Sequence, residues 1–237
     1  MGWNLFSGQK QTSMIVVSKF FKSDATEQWF NTPCADCGGL SIHEMLRERG
    51  YNIVDRSTLQ TEYTDLQAPI NMVDLSYASS IAVPAPGYKN TFVAGYAWEV
   101  QKIDLDGVPV SAILDKWLLA MPGEKKYLIS LTPETFLCAE TESVTFQDIF
   151  AITRNWSINC TIGIFDDSSK AMFVFGEEFG LIYAGFHPEN VPKEFDAVSG
   201  IFKKVIERGY VEDSWDRGVG QRHRLTEFFE QAVKPYV

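Results

Sequence analysis

The chain is predicted to be an α+β protein, built mainly on antiparallel sheet with helices flanking it, and three observations predict this. The stretch "CTIGIFDDSSKAMFVFGEEFGLIYAGF" reads as a C-terminal three-stranded meander over 160–165, 171–175 and 180–186, with polar turns "DDSSK" and "GEE" between the strands. Segments such as "SAILDKWLLAM" place apolar residues at helical spacing. Strands run together instead of alternating regularly with helices, which is the mark of α+β rather than of parallel βαβ units.

In chain order, "SMIVVSKFF" over 13–21 is rich in β-branched and aromatic residues and predicts a strand. Ser41 with Glu44 three residues on is a capping-box pair, and Gly50 is a stop, so a short helix is expected over 42–49, followed by the strand "YNIVD". Residues 55–90 hold no sustained period and carry "PAPG", so an irregular connection with one short strand at 70–75 is expected. "TFVAGYAWEVQKIDLDGVPV" predicts two strands joined at Asp106 and Gly107. Ile113, Leu114, Trp117, Leu118 and Met121 form the apolar face of a helix closed by Pro122 and Gly123, and "KKYLISLT" follows as a strand. A helix starting at Thr145 buries Phe146, Ile149, Phe150 and Ile152. After the meander, "KEFDAVSGIFKKVIERG" and "HRLTEFFEQAV" are expected helices. A boundary near "MPGEKK" suggests lobes 1–123 and 124–237, which can also share one core.

With 237 residues, 45% of them hydrophobic and 22% charged, the composition is that of a folded globular chain. The apolar run "MIVVS" is interrupted by Lys19 and Lys22, and no segment approaches eighteen uncharged apolar residues, so a cytoplasmic protein without a membrane partner is expected. Four cysteines, at 34, 37, 138 and 160, are expected as reduced thiols. The net charge is −10 and is unevenly placed: between Tyr127 and Pro192 nine acids face only Arg154 and Lys170. Phosphate contacts need Lys and Arg, so this middle segment argues against direct nucleic-acid binding and is compatible with a basic protein partner, although acidity also serves plain solubility.

Several residue patterns have chemical potential, and each also has a plain structural reading. Cys34 and Cys37 form one C-x-x-C pair without a second, which falls short of the four ligands of a structural zinc site, so no metal or cofactor is expected. Cys37 precedes Ser41 by four residues and so lies outside the first helical turn that would activate a redox thiol. A cysteine-dependent hydrolase would use Cys37 or Cys34 as nucleophile, His187 as base and Asn190 or Glu189 to orient it; the chain order suits such a triad, but no flanking pattern accompanies it. "GVGQRHR" lacks the Gly-Lys-Ser/Thr of a phosphate loop.

What remains is an interaction protein, not an enzyme. Acidic turns and an aromatic-acidic loop provide steering charge and anchoring rings, and the expected partner-binding residues are Asp166, Asp167, Glu177, Glu178, Glu212, Asp213, Trp215 and Asp216. In these properties, though in no sequence motif, the chain resembles small acidic immunity proteins that neutralise bacterial toxins, often basic nucleases. The expected function is therefore an immunity-type inhibitor that occludes its toxin's active site. The alternative is the hydrolase using Cys37 and His187.

Overall fold

The computed structural model describes residues 14–35, 38–73, 81–94, 104–105, 107–153, 161–176 and 181–197. Its centre is a seven-stranded sheet in which every neighbouring pair is antiparallel, and this bears out the α+β class. The helices and strands, numbered along the chain, begin with β1 (Ile15–Val16), α1 (Val17–Phe20), α2 (Gln28–Asn31), α3 (Ile42–Glu48), β2 (Asn52–Ile53) and α4 (Arg56–Glu62). Then come β3 (Gln67–Ala68), β4 (Ile70–Val73), β5 (Ile81–Pro84), β6 (Lys89–Ala94), β7 (Asp104–Leu105), β8 (Val108–Pro109) and α5 (Val110–Leu119). The rest are β9 (Lys126–Ser130), β10 (Cys138–Thr141), α6 (Phe146–Thr153), β11 (Ile162–Asp166), β12 (Ala171–Gly176) and β13 (Leu181–Phe186).

The order across the large sheet is β2-β10-β9-β11-β12-β13-β6. The meander β11–β12–β13 is thus its continuous half, and the edge strands β2 and β6 come from before residue 123 while the five strands between them come from after it. Side chains alternate across the pleat into two cores. On one face Leu128, Ile162, Ile164, Phe173, Phe175 and Phe186 meet α3, α5 and α6 through Leu46, Leu114, Trp117 and Ile149. On the other, Tyr127, Ile129, Phe165, Met172 and Val174 meet Val17, Leu59, Ile70 and Val83. Both faces are covered, so the central strands read as almost unbroken apolar runs and β9 and β11 are buried at every position.

The capping box at Ser41 is present in full: Glu44 N donates to Ser41 Oγ at 3.2 Å, and Ser41 N donates to the Glu44 carboxylate at 2.8 Å. The helix of 110–119 buries the expected stripe Ile113, Leu114, Trp117 and Leu118. Gly107, at φ 81°, lies between β7 and β8 as the hairpin reading requires.

Two expectations are corrected. The strand over 13–21 is only β1, because β3 offers just two paired residues; the chain then coils into α1, which drops Val17 into the core and lets Phe21 stack edge-on against Phe136 at 4.7 Å. Beta propensity yields there to the partner available. The stretch 55–90 is also far more regular than expected: Asp55 caps α4 by accepting from Thr58 N at 2.8 Å, and β3 to β6 follow. The meander turn "GEE" and the two expected C-terminal helices fall wholly or largely outside the described residues.

Candidate functional site

Register brings three strand ends together at one end of the sheet. Lys126, the first residue of β9, pairs with Thr141 at the end of β10 and with Asp166 at the end of β11. The loop 121–125, the residues just past β10 and the turn 167–170 therefore crowd around one edge, and the chain supplies Glu124, Lys125, Glu140, Glu142, Asp166, Asp167 and Lys170 to it.

Adjacent acids in the turn have opposite fates. Asp166 is fully buried, and its carboxylate accepts from Ser168 Oγ, from Lys170 N at 3.4 Å and from Ala171 N at 3.2 Å. Burial raises its pKa, and these bonds work against that rise. The side chain is the inner brace of the turn, so of the expected partner-binding pair only Asp167 reaches solvent. Asp167 keeps its carboxylate outside while its amide donates to Lys125 O at 3.0 Å. Further bonds lock the turn from the other side: Tyr88 Oη donates to Ser169 O, and Ser169 Oγ to Gln67 O at 3.3 Å.

Gly123 makes this docking possible. A Cβ at that position would lie 2.1 Å from Asp167 Oδ1 and 2.8 Å from Asp166 Cβ. Lys126 completes the inner layer, since its buried ammonium donates to Gly123 O at 2.5 Å. Among the described residues that lysine makes no ion pair with a carboxylate.

Around this braced turn the surface is acidic. Glu140 accepts from Tyr63 Oη at 2.7 Å and from Lys125 Nζ at 2.9 Å. The hydrogen bond to Glu140, with its charge, raises the Lys125 pKa. Burial raises the Tyr63 phenol, and the bond to Glu140 adds to it. Tyr127, beneath them, is pushed up to about 12 by burial first and then by the charges of Glu140 and Asp167. Glu124, Glu142 and Asp167 are exposed and have no ion-pair partner among the described residues. The arrangement can do two things: attract a cation by charge, and hold a Tyr-lined edge in a fixed shape.

Of the other expected partner-binding residues, Glu177, Glu178, Glu212, Asp213, Trp215 and Asp216 lie outside the described residues. Sequence reasoning did not single out Glu124, Glu140, Glu142 or Tyr63. The alternation of acids in "CAETE" was the available signal, but only the register with β9 shows that it faces the "DD" turn.

The residues of the hydrolase alternative are described only in part. Cys37 lies outside the described residues, and Cys34 is half-buried. Cys138 is buried in β10, and its thiol is pushed up to about 12 by burial and then by Glu140, the opposite of nucleophile activation. His187 Nδ1 lies 3.7 Å from the Glu189 carboxylate, and Asn190 N donates to His187 O at 2.8 Å. Among the described residues no group of three or more His, Cys, Asp or Glu side chains could hold a metal ion, and no helix is long and apolar enough to cross a membrane. The chain matches no family model, and neither a curated protein nor a solved structure matches it.

Proposed function

We propose that this chain is a cytoplasmic binding protein that docks a basic protein partner through the acidic end of its sheet, in the manner of an immunity protein that blocks a toxin by covering its active site. The observation that carries the reading is the rim Glu124, Glu142 and Asp167, three exposed carboxylates without ion-pair partners among the described residues, set beside Tyr63 and Glu140 on a turn braced from within. Unpaired carboxylates steer a basic surface at long range, and a rigid rim keeps the ordering cost of binding small. Support also comes from the net charge of −10.

The test is affinity capture from the native cell, followed by binding kinetics with the partner recovered. A stoichiometric basic protein is expected, and co-expression should protect cells from it. Combining Glu124→Lys, Glu142→Lys and Asp167→Lys should slow association by roughly tenfold or more at low salt, with a much smaller effect at high salt. Capture of no basic partner, together with no protection against any toxin encoded nearby, would sink the proposal.

A further inference from the structure

We draw no further inference here: the strongest candidate, the outer edge of β6 (Lys89–Ala94), which closes the seven-stranded sheet and pairs with β13 alone among the described residues, carries nothing because nothing in the structure shows what covers it.

Discussion

At the start of α6 the Asp148 carboxylate accepts four hydrogen bonds, from Arg49 Nη1, Tyr51 Oη, Thr145 N and Thr145 Oγ1, the last three at 2.8 to 3.0 Å. At the end of β11 the Asp167 carboxylate has no ion pair or hydrogen bond among the described residues. Both are single negative charges in an acidic chain. The first ties α6 to the segment between α3 and β2; the second leaves its field in solvent. Net charge therefore says little about a protein's surface until the acids spent on internal donors have been set aside.

The largest effect is expected at Asp148. Replacing it with Ala strands the Tyr51 hydroxyl and the Thr145 donors, and should cost on the order of 3 kcal/mol in chemical denaturation. Burial and then the Asp148 charge raise the Tyr51 phenol, so it stays a donor throughout the accessible pH range. Arg49→Ala should cost less, about 1 kcal/mol or below, because Arg49 is 37% exposed and water takes over its role. Equal costs would mean that the ion pair, and not the buried hydrogen-bond set, holds this corner.

Gly123→Ala comes next. The Asp167 carboxylate can swing aside, but Asp166 Cβ and the Asp167 amide, at 2.8 and 3.0 Å from the added carbon, cannot. The turn must lift off the loop, at a cost of about 1–3 kcal/mol. No loss of stability in that variant would show that the turn is not docked, and the acidic rim would then lack its rigid base.

The contrast between neighbours is sharper still at 166 and 167. Asp166→Ala leaves the amides of Lys170 and Ala171 without their acceptor and should cost about 1–2 kcal/mol, whereas Asp167→Ala should change stability by less than about 0.5 kcal/mol. The sequence "DD" could not separate them. Which acid is buried depends on the Gly123 loop, more than forty residues away, and the glycine that permits the approach reads locally as no more than a helix stop. The same limit explains the rest of what was and was not legible. Ser41 and Glu44 could be read because a capping box is complete within four residues, and the stripe of α5 because helical spacing is local. The Asp55 cap is equally local but stands at the entrance of a proline-containing stretch without a sustained period. Tyr63 and Glu140 meet across 77 residues, and Arg49 and Asp148 across 99, so no window of sequence contains either pair.

The smallest effect on stability is expected at the rim, and there the comparison matters most for function. Glu124, Glu142 and Asp167 make no bond that folding depends on among the described residues, so each Lys substitution should leave the unfolding free energy within about 0.5 kcal/mol of the parent. Relief of repulsion in a chain of net charge −10 could even offset the small losses. The same three changes move the local charge by six units, which a basic partner must feel in its association rate. Stability unchanged and association slowed together mean that these carboxylates are reserved for the surface. A triple variant that unfolds as readily as Asp148→Ala would place them instead in the internal framework, and the acidic end of the sheet would cease to be a candidate for binding.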